Sequence, residues 1–502
     1  MPSAKLDFKR EIRIPKDLFV LSIVFTLAVL LQAMAALDSG YLLLPLFCAC
    51  LFAMCFVSPP AVGSFFLFGW VLLPAMDDLP FGPLQRVPAT SLVALAVLLG
   101  LAAARIRNGS WRKLCRYPVL FYIALFLIIF ADGYAGIVFH DKWGNLLVRT
   151  LAWQKFISCA SMFVFGLLCC RDPEDFSHIT RLIPIWFLLY LIYTPISAYL
   201  TFIQHLVGVA SSYNVGLEYG TLNANTFGQG ACVAAVAGYI LSSWTRRPII
   251  IRGFYFGLFL LATTVVLVTA SRQSAIALVF GLWVAIAHRR LLVGFVLAAV
   301  VLAFLGGVRN RVLATPTEDV LLGRFEDLSK PGEEWSTQSA VQRTREINAA
   351  LVHLWDHPLV GFGFGGYALT QALPDIASKT EVNETTVLNA LSDEGYFLVG
   401  EHNFPIALYM ETGLVGSISF FALLIGSYVI FRRRLATLII IDKIEPVLMD
   451  RCVVSIGASI FVLQNISGGL SMGSMSTLLF LVGAMLAGFG WRPRINTQVQ
   501  SE

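Results

Sequence analysis

Four ionisable side chains in the second half of the chain have the types and spacing to handle a phosphorylated substrate. Arg272 stands in T-A-S-R-Q-S, Arg343 and Arg345 in R-T-R-E-I-N, and His402 in E-H-N-F-P. A guanidinium presents a planar fork that grips phosphate oxygens through two N–H groups at once. An imidazole accepts a hydroxyl proton near neutral pH or, when protonated, holds a phosphate. Asn403 is a favoured helix N-cap and Pro405 suits a first helical turn, whose free amides attract anions. Together these residues read as an anion site with a base beside it, suited to a lipid that carries a diphosphate. Arg149 is a weaker member of the set. Each also has a plainer explanation: His402, Arg272 and Arg149 as side chains reaching into the headgroup layer, and Arg343 and Arg345 as a solvated helix face.

The elements that must position these residues are membrane helices. The chain has 502 residues, 57% of them hydrophobic and 13% charged, with a mean hydropathy of +0.75. Apolar runs recur from Leu18 to Gly490, and repeated runs near the ~20 residues needed to cross a bilayer imply a helical bundle. About fourteen spans are expected, centred near Phe25, Cys48, Phe68, Leu95, Phe126, Met162, Leu189, Val236, Leu261, Phe280, Leu297, Leu423, Ala458 and Leu481. Lys5, Lys9, Arg10, Arg13 and Lys16 precede the first span, which reads as a retained anchor with its tail in the cytoplasm. The inner loops then become Arg105–Arg116, Arg171–Arg181, Thr245–Arg252, His288–Arg290 and Phe431–Arg451. Nearly every dense Lys/Arg cluster falls inside, both termini are cytoplasmic, and the insert is outside.

The expected organisation is an N-terminal transmembrane bundle over 1–305, a large outer loop over 306–403, transmembrane helices over 404–491 and a cytoplasmic tail over 492–502. Within the loop, Thr337–Trp355 has helical periodicity, ending by Asp356–His357 because Pro358 holds its predecessor extended. G-F-G-F-G-G over Gly361–Gly366 lacks the strand–turn–helix frame of a nucleotide site, and reads instead as a turn where backbone approaches a helix closely. The cysteines sit almost wholly in apolar runs, so no disulfide framework or Cys-based metal site follows. Asp77–Asp78, Glu318–Asp319 and Glu333–Glu334 have no third ligand suitably placed, so no metal and no cofactor are implied. A net charge of +5 without an aromatic-interleaved basic domain gives no sign of nucleic-acid binding.

Three stretches carry a resemblance. T-A-S-R-Q-S-A-I-A-L-V-F-G-L, R-T-R-E-I-N-A-A-L-V-H-L-W-D-H-P-L-V-G-F-G-F-G-G-Y and E-H-N-F-P-I-A-L-Y-M-E-T-G-L-V-G resemble successive motifs of the O-antigen ligase/polymerase family. That family covers Wzy-type polysaccharide polymerases and WaaL-type O-antigen ligases of bacterial inner membranes. The likeness runs from about Thr264 to Ile430, with T-L-N-A-N-T-F-G-Q-G (Thr221–Gly230) matching an outer Asn-containing stretch.

The resemblance implies an all-α, GT-C-like bundle with one large periplasmic loop. It implies an inverting, metal-independent transfer from undecaprenyl-diphosphate-linked glycan at the periplasmic face. Carried over by position, Arg272 matches the S-R arginine, Arg343 or Arg345 the loop-helix arginine, and His402 the histidine of the H-N motif. Polymerase is the first expectation and ligase the alternative, with a chain-length regulator and a flippase as further partners. A transporter would instead place charges and broken helices at mid-membrane in both halves.

Overall fold

The computed structural model describes residues 16–36, 40–68, 89–108, 118–138, 160–170, 173–206, 224–244, 247–268, 272–287, 353–363, 404–438, 446–467 and 472–488. Among these residues every regular element is a helix. In chain order they are α1 Lys16–Ala36, α2 Gly40–Val57, α3 Pro59–Phe68, α4 Ala89–Arg107, α5 Pro118–Val138, α6 Ala160–Cys169 and α7 Pro173–Leu206. There follow α8 Ala224–Ser242, α9 Ile249–Val268, α10 Arg272–Ala287, α11 Phe404–Leu438, α12 Pro446–Ser467 and α13 Met472–Gly488. Each expected span centre except Leu297 falls on one of these helices; Leu297 lies outside the described residues. Asp175–Ile192, Ile249–Val268 and Pro405–Arg433 are long and apolar enough to cross a bilayer, and the others are shorter apolar helices or less apolar ones. The chain is a helical membrane protein.

Two helices outrun the loops drawn from charge. Pro173 starts α7 inside the expected Arg171–Arg181 loop, because proline is at home in a first turn and Glu174 and Asp175 favour the positive helix end. Likewise α11 continues through Phe431 to Leu438.

Close packing between small residues holds the bundle. A methyl group on Gly483 in α13 would strike the Phe163 carbonyl of α6, and one on Gly166 in α6 would strike the Phe480 carbonyl of α13. The two backbones therefore touch, as small residues allow in membrane bundles. Gly281 plays the same part in α10, against Ser459 of α12 and Val236 of α8. Outward faces are apolar: Tyr122, Phe126, Ile129 and Phe130 on α5 and Ile250, Phe254 and Leu261 on α9 are exposed, at the spacing of one helix face.

One end of the bundle is built from arginine. Arg105 at the end of α4 is buried and donates from Nε to Leu168 O at 2.7 Å and from Nη2 to Leu167 O at 3.3 Å. Its Nη2 also donates to Cys170 O. Arg451 of α12 donates twice to Ala285 O, at 3.0 and 2.8 Å, closing the end of α10. Arg252 donates to Ser242 O at 3.0 Å at the end of α8, while Arg181 and Arg247 lie over the Trp244 ring at 4.5 and 4.4 Å. Guanidinium groups here meet the electronegative C-termini of helices, where their charge is favoured. Phe176–Phe431 and Tyr428–Asp450 contacts join the remaining segments. Parts of four of the five stretches expected to be inner loops thus share one end, and the fifth, His288–Arg290, lies outside the described residues.

Candidate active site

The depth and direction of α10 and α11 follow from that arginine end. Ala285, near the end of α10, meets Arg451 in the second turn of α12. Tyr428, far along α11, reaches Asp450 of α12 with its hydroxyl at 3.2 Å. Both helices pack on α12, so both run against it and start at the same, opposite end. Ser243, which follows α8, accepts a bond from Arg451 at 3.4 Å, so α8 starts there too. The three helices opened by the Asn-containing stretch, by S-R-Q-S and by E-H-N-F-P therefore share an end. Their positive N-termini face the same side.

Arg272 is the first residue of α10, roughly 14 Å of helix rise from the Gly281 crossing that fixes α10 in place. Gln273 and Ser274 behind it are buried, so the first turn of α10 is set into the bundle. His402, Asn403, Arg149, Arg343 and Arg345 lie outside the described residues, as do Asp77 and Asp78. The larger part of the expected loop helix, 337–352, is likewise outside them. From His353 the chain is a turn, with Asp356 N–H donating to His353 O at 3.1 Å and His353 Nδ1 2.7 Å from Asp356 Oδ2. Of the expected loop helix, the described residues His353–Trp355 are turn and not helix, as suits the approach to Pro358.

The segment after Pro358 does something that periodicity did not show. α11 is broken at Gly413, whose φ of 63° and ψ of −165° are not helical and lie where only glycine is at ease. Residues 358–363 fill the break. Leu414 N–H donates to Pro358 O at 2.9 Å and Val415 N–H to Leu359 O at 3.1 Å. In return Phe362 N–H donates to Met410 O at 2.7 Å and Gly363 N–H to Glu411 O at 2.9 Å. Phe362 and Met410 are buried against each other beneath Leu354, Ile406 and Tyr409, and the His357 ring meets Phe362 edge-on at 4.6 Å. Gly361 (φ 67°) and Gly363 (φ 80°) take the left-handed turn this requires. G-F-G-F is a close-packed turn on a helix.

Two carboxyl side chains escaped the sequence reading. Asp132 in α5 and Glu411 in α11 are both buried, at 1% and 8% exposure. α5 packs along α11, with Leu120 near the start of α5 against Gly426. Their signal was an acid inside an apolar run, in I-I-F-A-D-G-Y and L-Y-M-E-T-G, which at membrane depth points to a role.

Comparison with known families finds a match. Residues 256–421 match the family model described as O-antigen ligase. The chain carries an O-antigen ligase-family domain. The matched stretch takes in most of α9, all of α10, the docked turn and the first half of α11. No curated protein matches the chain. The match supports a membrane protein of O-antigen or polysaccharide biosynthesis, the members of that family being enzymes that act on lipid-linked glycans.

Proposed function

We propose that this protein is a glycosyltransferase of the bacterial inner membrane that polymerises undecaprenyl-diphosphate-linked repeat units at the periplasmic face. The observation that carries the reading is the shared end of α8, α10 and α11, where three helix N-termini and Arg272 offer positive potential to an anion. Arg272, with Arg343 or Arg345, grips the diphosphate as it leaves. His402 takes the proton from the attacking sugar hydroxyl, the new bond forms at the anomeric carbon from the side opposite the diphosphate, and the configuration inverts. Asn403 caps the α11 end and Arg149 adds charge. Guanidinium groups supply the countercharge that a divalent cation supplies in other phosphate chemistry.

The description of the matching family favours a second reading, transfer of the finished glycan to a lipid A-core acceptor. One experiment separates the two. Purified full-length protein is given a lipid-diphosphate repeat unit, with and without lipid A-core. A ladder of multiples without the acceptor supports polymerisation, and product only with the acceptor supports ligation. No glycan transfer in either reaction refutes both. In the active reaction, Arg272→Lys should lose donor affinity, because the charge remains but the fork is gone. His402→Ala should bind donor and transfer it about 10²–10⁴-fold more slowly.

A further inference from the structure

The apolar span within α11, Pro405–Arg433, has 29 residues. That is about 43 Å of helix, against a hydrocarbon layer of about 30 Å. Arg432 and Arg433 are exposed at the arginine end, where their charges belong at a bilayer boundary. The excess of about 13 Å then falls at the opposite end, which brings the break at Gly413 to the second boundary. Between the two boundaries, Leu414, Ile418, Ile425 and Val429 are exposed and return to one helix face. That face is the lipid-facing stripe of α11.

The stripe does not stop at the break. Leu359 lies against Gly413, and its carbonyl accepts from Val415 N–H at 3.1 Å. Its side chain is 64% exposed, and Trp355, four residues earlier, is 74% exposed. Both are on the outside of a packed turn, since Phe362 and Met410 are buried beneath Leu354, Ile406 and Tyr409. An indole carries about 150–250 Å² of surface, and tryptophan collects at bilayer boundaries, where its ring meets acyl chains and its N–H meets headgroups. His353 and Asp356, paired at 2.7 Å, give the same turn a polar edge. We propose that the docked turn is a membrane-interface anchor, with Trp355 and Leu359 seated among the phospholipids of the leaflet opposite the arginine end. Lipid is the occupant because the patch continues the lipid-facing stripe at the level where α11 leaves the hydrocarbon. The anchor goes beyond the glycosyl-transfer reading and holds a part of the chain between α10 and α11 at the bilayer surface whatever the reaction.

The test uses the full chain in nanodiscs of phosphatidylethanolamine and phosphatidylglycerol. Lipids brominated high on the acyl chain should quench part of the tryptophan emission. That part should fall in Trp355→Phe by the share of one tryptophan among ten, and lipids brominated deep in the chain should show a smaller difference. The ring is on the outside of the turn, so its replacement leaves Phe362 and Met410 in place. Equal quenching of parent and variant, or a larger difference with the deep bromines, overturns the proposal. A photoreactive benzoylphenylalanine in place of Leu359 gives an independent reading. Illumination should yield an adduct with the mass of one phospholipid, as the same residue should in place of Ile418. Adducts that join two copies of the chain or another protein, or the absence of a lipid adduct where the Ile418 position gives one, overturn the anchor. Neither readout involves glycan transfer, so failure of the anchor and failure of the glycosyl-transfer reading are told apart.

Discussion

Arg105 and Arg107 stand two residues apart on α4 and differ in what they hold, so substituting each by methionine separates structural charge from surface charge. Arg105 donates to the carbonyls of Leu167, Leu168 and Cys170 at the end of α6, all of them buried residues. Methionine preserves the apolar stem and removes every donor. The three carbonyls then lose that donor, and leaving buried acceptors unsatisfied costs about 1–3 kcal/mol. Arg107 is exposed and lies 5.5 Å from the Phe56 ring centroid, a contact worth about 0.5–1 kcal/mol. Heating detergent-solubilised protein and following the folded peak by size exclusion gives the midpoint of each variant. Arg105→Met should fall well below the parent, Arg105→Lys should land between them because an ammonium reaches fewer carbonyls, and Arg107→Met should stay near the parent. Equal midpoints for the two methionine variants would refute the capping argument.

Gly483→Val should prevent α13 from seating on α6, at a cost of about 1–3 kcal/mol or more, whereas Gly133→Ala, with nothing within 4 Å of the added methyl, should be neutral in the same heating assay. Activity should survive a chelator if arginines neutralise the diphosphate; loss on chelation with recovery in magnesium would move the site to carboxylates such as Asp77 and Asp78. A membrane-impermeant thiol reagent should label Ser336→Cys in intact spheroplast-exposed membranes, and label Arg433→Cys, exposed at the arginine end, only after lysis. The reverse pattern would invert the sidedness and remove the periplasmic site.

The membrane bundle was legible because apolar run length is a property of single segments. Cys48, Phe126 and Val236 announce helices whatever they pack against. Charge was legible for the same reason, and the segments around Arg105, Arg181, Arg252 and Arg451 gather at one end as the loop charges require. What single segments do not encode is where two of them meet. Gly413 sits in an apolar run that reads as one unbroken helix, and only the arrival of Pro358–Gly363 explains why its backbone turns aside. G-F-G-F shows that a turn exists, and the sequence is silent on its partner fifty residues on. Asp132 reads as an isolated acid until α5 is laid along α11.

The turn docked into the break of α11 also divides the chain for anyone who would redesign it. Gly363 and Glu411 are pinned together by a backbone hydrogen bond, so the sequence between them leaves and returns to one fixed point, like a bead looped on a closed wire. Closing a loop grows costlier only slowly with its length, by about 0.6 kcal/mol for each doubling. Residues 364–400 are therefore the natural place to graft, shorten or exchange sequence when a different acceptor is wanted.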